Sequence, residues 1–128
     1  IGAPDLLATI NDISKNVEPG TVVISKANCG IPEFKDGSIV YSGTEELMSQ
    51  YVKIAMNSGA KIIGGCCGTS FDHVRAMRKA MDEHSVTSAP TLEEIEEKVG
   101  AMSEGSKSIF KGDDSKPKKQ RRSRRSRA

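Results

Sequence analysis

Two short β-branched runs set the tightest limit on how this chain can fold. Val22-Val23-Ile24 and Ile62-Ile63 each lie between stretches of helical periodicity. Pro4 and Asp5 suit a first helical turn, and Leu6, Leu7, Ile10, Ile13 and Val17 then recur at helical spacing until Pro19-Gly20. Thr44 reads as an N-cap with Glu45 and Glu46 behind it; Leu47, Met48, Tyr51, Ile54 and Ala55 supply an apolar face, and Gly59 closes that helix. Ser70 and Asp72 open a third helix with the stripe Val74, Met77 and Met81. The order helix–strand–helix–strand–helix implies right-handed βαβ units and a parallel sheet, hence an α/β fold. Continuous apolar strands over 21–27 and 61–65 predict burial on both faces. Two parallel strands cannot cover themselves, so the rest of the sheet is expected before Ile1 or on another chain. The start at Ile1 rather than Met leads to the same expectation, a fragment of something larger.

Between the two strands, 28–43 reads as a long Gly- and Pro-containing connection with a turn at Lys35-Asp36-Gly37-Ser38. After His84 the character changes. A linker over 85–90 leads to a capping box, Thr91 and Glu94, with Leu92, Ile95 and Val99 on one face of a short helix. From Gly105 onward Ser, Lys and Arg dominate and disorder is expected. The expected divisions are therefore a globular part over 1–84, a linker and short helix over 85–104, and a basic tail over 105–128.

Charge follows the same division. Residues 1–106 hold 9 Lys/Arg and 15 Asp/Glu, a net −6, whereas residues 107–128 hold 10 Lys/Arg and 2 Asp, a net +8. Such a tail can touch nucleic acid electrostatically. It lacks interleaved aromatics for base stacking, so a solvated, non-specific tail is the favoured reading over a nucleic-acid-binding module. No apolar run reaches the roughly 18 residues of a membrane span. Three cysteines, two of them adjacent, do not form a secreted disulfide framework and fit a reducing cytoplasm.

The chemistry concentrates in Gly64-Gly65-Cys66-Cys67-Gly68-Thr69, at the C-terminal end of the second strand, where α/β folds place their sites. Consecutive strand side chains point to opposite faces. Two adjacent thiols can share one metal only if the backbone leaves strand geometry there, and flanking glycines make that cheap. By themselves the two cysteines fit small packing residues as well as a metal site. A redox dithiol ranks last, because adjacent cysteines close a strained ring. Met48, Met56, Met77 and Met81 read as core filler, His73 as an exposed helix residue in preference to one that approaches the site, His84 as a helix end, and Glu45 and Glu46 as dipole partners. Glu33 lies in the loop above the presumed pocket.

Four segments together resemble the homocysteine S-methyltransferase family: the Gly64–Gly68 run, Asn28-Cys29-Gly30-Ile31-Pro32, Tyr41-Ser42-Gly43-Thr44, and Gly59-Ala60-Lys61-Ile62-Ile63-Gly64. The resemblance covers 4–84 and implies the C-terminal portion of a TIM (β/α)8 barrel. It implies zinc held by three thiolates, with Cys66 and Cys67 as two of them. The third ligand is expected a residue or two before Ile1. Cys29 falls where relatives commonly carry Ala, so it is read as a small residue near the pocket, not as a ligand. Asn28 is the candidate substrate contact beside a structural alternative. The implied partners are homocysteine and a methyl donor, with methionine as product. A betaine-type or stand-alone enzyme is favoured over the homocysteine-binding part of a cobalamin- and methyltetrahydrofolate-dependent methionine synthase, because a basic tail follows in place of large folate and cobalamin domains.

Overall fold

A computed structural model describes residues 1–112 of the chain, a mixed α/β arrangement of five helices and two small sheets among those residues. The first helix, α1 (Ala3–Asn16), carries Pro4 in its first turn and buries Leu7, Ala8 and Ile10. It ends at Val17 ahead of Pro19-Gly20, and β1 (Ile24–Ala27) follows. A hairpin of β2 (Pro32–Lys35) and β3 (Ser38–Tyr41) leads to α2 (Glu45–Asn57), where the Thr44 side chain accepts a hydrogen bond from Leu47 N. Then come β4 (Ile62–Gly65), α3 (Phe71–Glu83), α4 (Leu92–Val99) and α5 (Glu104–Phe110).

The expected parallel pair is present. β1 and β4 run parallel in the register Ile24–Ile62 through Ala27–Gly65. A third parallel segment reaches the far side of β1: Gly2 bridges to Asn28, and Asn28 N donates to Ile1 O at 3.1 Å. The N-terminal residues, β1 and β4 thus lie side by side, with α1 and α2 as their crossovers.

Helices cover one face of this sheet. Ser25 and Ala27 are fully buried against them, and the Ser25 and Tyr51 hydroxyls share a 2.6 Å hydrogen bond inside the core. The other face departs from the sequence expectation of strands buried on both sides. Ile24 and Ile62, paired across the ladder, are 55% and 53% exposed. The reason is layering: the helices lie on a single side, and among the described residues nothing packs over these two isoleucines.

Three further differences have local causes. The connection over 28–43 contains the β2–β3 hairpin, whose turn places both Asp36 (φ 49°) and Gly37 (φ 80°) in the left-handed region, as a two-residue type I′ hairpin loop requires. Val74 of the expected α3 stripe is half exposed, because α3 packs on α2 mainly through Met77 and Ala80. Residues 105–110, expected to be disordered, continue α5. Ser103 caps that helix, α5 lies on α1, and Ser103 N donates to Asp5 Oδ1 at 2.9 Å. Burial pushes the Asp5 carboxyl up, but hydrogen bonds from Ser103 and Ser106 outweigh it and hold its pKa below the ordinary value. The short helix over 92–99 is docked, with Ile95 and Val99 buried against α1 and α2. The rest of the basic tail, 113–128, lies outside the described residues. Among the described residues no helix is long and apolar enough to cross a membrane.

Burial pushes the Tyr51 hydroxyl up from its ordinary 10.0 to about 12. The folded state thus favours the neutral phenol. Its stabilising effect is complete below pH 10 and is lost as pH rises toward about 12. Urea unfolding at stepped alkaline pH should show stability falling through that window. Tyr51→Phe should flatten the fall and cost about 1–3 kcal/mol at neutral pH, because the Ser25 hydroxyl is left buried without its partner.

Candidate functional site

The β1–β4 ladder does not stop where the strands end. Cys66 N donates to Ala27 O at 2.7 Å, and Cys29 N donates to Cys67 O at 2.9 Å. The Cys-Cys segment is therefore tied to the rim of the preceding strand while its own backbone turns. Thr69 N closes that turn on Cys66 O at 3.2 Å, and Gly68 takes φ 77°. A positive φ at the third residue is the demand of a type II turn, and glycine meets it without steric cost.

The turn brings the two thiols together. Cys66 Sγ and Cys67 Sγ lie 4.0 Å apart, and both residues are exposed. Cys66 continues the alternation of Ile62 and Gly64, which puts it on the sheet face that the helices leave open. Sulfurs at the corners of a tetrahedron with bonds of about 2.3 Å are separated by roughly 3.8 Å. The pair therefore fits two corners of a zinc site. It is an incomplete set: among the described residues no group of three or more His, Cys, Asp or Glu side chains converges as a metal site.

Cys29 is placed differently. It is fully buried, and its sulfur packs against Gly43, where an added Cβ would fall 2.5 Å from Sγ. Burial pushes its thiol pKa up, which favours the neutral form. Asn28 lines a cavity of about 470 Å³ together with Ile1, Gly2, Ile31, Ser42 and Val99, and neither Cys66 nor Cys67 is among its walls. The structure thus joins Cys66 to Cys67 and sets Asn28 in a neighbouring hollow. Glu33 pairs with Lys35 at 2.6 Å on the hairpin, on the strand face opposite Phe34.

The sequence reading named two further residues, His73 and Tyr41, without the contacts that the structure gives them. His73 is half buried, not exposed. Its Nδ1 accepts from Ser70 N at 3.0 Å, which leaves Nε2 to carry the proton and donate to Gly43 O at 3.3 Å. It ties the start of α3 to the chain just before α2. Tyr41, the last residue of β3, lies over Gly68. The neighbouring Cys67 thiol, with some desolvation and Cys66, pushes the Tyr41 pKa up. The Asp36-Gly37 pair flanked by β-prone residues was the available signal for the hairpin, and the hairpin is what carries Tyr41 to the site.

Comparison with known families adds an independent observation. The model of the homocysteine S-methyltransferase family matches residues 3–81, more than half of the chain and inclusive of the two strands, the hairpin and the Cys66-Cys67 turn. The chain belongs to the homocysteine S-methyltransferase family, whose chemistry is methyl transfer to homocysteine.

Proposed function

We propose that this chain is the C-terminal part of a TIM (β/α)8 barrel in a zinc-dependent enzyme that methylates homocysteine to methionine, with Cys66 and Cys67 as two of three zinc ligands. The observation that carries this reading is the pair of exposed sulfurs 4.0 Å apart at the C-terminal rim of parallel strands. Barrel enzymes build their sites on that rim. The open face formed by Ile24 and Ile62 supports the barrel, since inward-pointing branched residues fill such an interior. The Gly2–Asn28 bridge supports it too: it places the residues before Ala3 at the end of a parallel neighbour, beside the site. A third thiolate just upstream would arrive there. Residues 1–84 form the barrel portion in this reading, and α4 and α5 are appended to its outside.

The roles of the chain's own residues follow. Cys66 and Cys67 act as thiolates, and Gly68 gives the turn that aims both at one point. Cys29 stays a buried neutral thiol that fills space against Gly43. Asn28, in the adjoining cavity, contacts substrate. Zinc, when bound, supplies Lewis acidity that lowers the pKa of the substrate thiol. In the overall reaction a bond forms between the homocysteine sulfur and the methyl carbon while the donor's bond to that carbon breaks, and the thiol proton is released. A betaine-type donor is favoured over a methylated cobalamin. Quaternary ammonium groups are held over aromatic faces, and the register of the hairpin sets Phe34 and Tyr41 on one side of it, with Tyr41 packed on Gly68.

Two outcomes test this reading. A chain that includes the residues encoded before Ile1 should purify with stoichiometric zinc and transfer methyl groups to homocysteine. Cys66→Ser and Cys67→Ser should each abolish both, by more than the roughly 10–100-fold that outer-sphere partners are worth. Cys29→Ala should leave zinc content unchanged, and its loss there would make Cys29 a ligand. The 128 residues alone should hold zinc only substoichiometrically, as metal analysis after dialysis would show.

A further inference from the structure

Of the strand residues on the open face of the sheet, Ile24, Lys26, Ile62 and Gly64, only Lys26 is charged. Its place follows from the ladder. Ser25 and Ala27 are buried under the helices, so Ile24 and Lys26 point the other way. The register pairs Ile24 with Ile62 and Lys26 with Gly64, and the ladder runs on to Cys66, whose N donates to Ala27 O. Lys26 and Cys66 therefore share one face, a single residue pair apart. The lysine stem crosses toward β4: a Cβ added at Gly64 would lie 3.6 Å from Lys26 Cγ and 3.8 Å from Cε, ordinary contact distances. With no side chain of its own, Gly64 leaves that track open. Neighbouring strands lie about 4.8 Å apart and rise about 3.3 Å per residue, which sets the Lys26 and Cys66 Cα atoms roughly 8 Å apart. An extended lysine spans most of that distance. Among the described residues the Lys26 ammonium makes no ion pair, and it is exposed.

We propose that Lys26 is a substrate-anchoring residue: its ammonium holds the α-carboxylate of the amino-acid thiol whose sulfur is presented at Cys66 and Cys67. A cation between Ile24 and the cysteine turn needs an anion once that face is covered, because an unpaired charge is expensive away from water. The carboxylate of homocysteine supplies one. Two methylenes and the α-carbon separate it from the sulfur, a length that matches the step from Cys66 back to Lys26. A lysine meets a carboxylate as a compact charge with three donors on a flexible stem, so the anchor can follow the substrate while its sulfur reacts. Lys26 thereby lets the site tell an amino-acid thiol from a bare one. This inference rests on the reading of Cys66 and Cys67 as the ligands that receive the substrate sulfur.

Binding of three thiols tests it. The protein that includes the residues before Ile1 is loaded with zinc, and calorimetry gives its affinity for homocysteine, for 4-mercaptobutyrate, which keeps the carboxylate and lacks the amine, and for 3-aminopropanethiol, which keeps the amine and lacks the carboxylate. Lys26→Met retains an unbranched stem over Gly64 and removes the charge. It should weaken homocysteine and 4-mercaptobutyrate about 10- to 100-fold, the range of a hydrogen bond to a charged group, and leave 3-aminopropanethiol and the zinc content unchanged. Lys26→Arg should recover most of the loss. Lys26→Gln is the deciding variant if Lys26→Met loses its helical circular dichroism. Equal losses for all three thiols, or an undiminished affinity for homocysteine, would overturn the anchor while zinc binding and methyl transfer by the unaltered protein kept the proposed function standing. Absence of both in the unaltered protein would sink that function and the anchor with it.

Discussion

The structure turns on two backbone hydrogen bonds that extend a parallel ladder beyond its strands. Cys66 N to Ala27 O and Cys29 N to Cys67 O hold the cysteine segment to the neighbouring strand while that segment reverses direction. In a regular strand, adjacent thiols would diverge to opposite faces. Here Gly68 supplies the positive φ, and the two exposed sulfurs lie 4.0 Å apart. The interaction is local, yet it needs the whole sheet register: Ile24 on Ile62 fixes Ala27 on Gly65, which puts Ala27 O in reach of Cys66 N. A slip of one residue would send the thiols to the helix face.

That register is maintained from the helix side. Tyr51 of α2 reaches through the core to the Ser25 hydroxyl, and Ala27, Leu7 and Ala8 pack without exposure beside it. The opposite face is apolar and uncovered among the described residues. Such a face is costly to leave in water, at roughly 25 cal/mol per Å² of apolar surface. In the proposed barrel such a face would be the sheet interior, and the Gly2–Asn28 bridge marks the edge of β1 where a further strand would adjoin.

Much of this was legible in the residues. Helical periodicity located α1, α2 and α3, the capping pair Thr91 and Glu94 located α4, and β-branched runs located β1 and β4. Glycines on either side of Cys66-Cys67 announced a departure from strand geometry. Other features depend on tertiary contacts that periodicity does not encode. Only part of 21–27 extends as strand, since Val22 has no ladder partner among the described residues and is exposed. The short α5 was hidden by its Ser- and Lys-rich composition, and it forms where Ser103 meets Asp5, nearly a hundred residues away in sequence. The hairpin was obscured by Gly and Pro, which mark loops and tight hairpins alike. With the hairpin went Tyr41, which packs on Gly68 of the distant cysteine turn.

The central claim is that the two sulfurs converge on one metal ion, and the zinc coordination shell reads this directly. X-ray absorption at the zinc edge, on protein that includes the residues before Ile1, should give three sulfurs at about 2.3 Å. Replacing Cys66 or Cys67 by Ala should each remove one sulfur from that shell or empty the site. A shell of nitrogen and oxygen alone, or a sulfur count untouched by either replacement, would contradict the account.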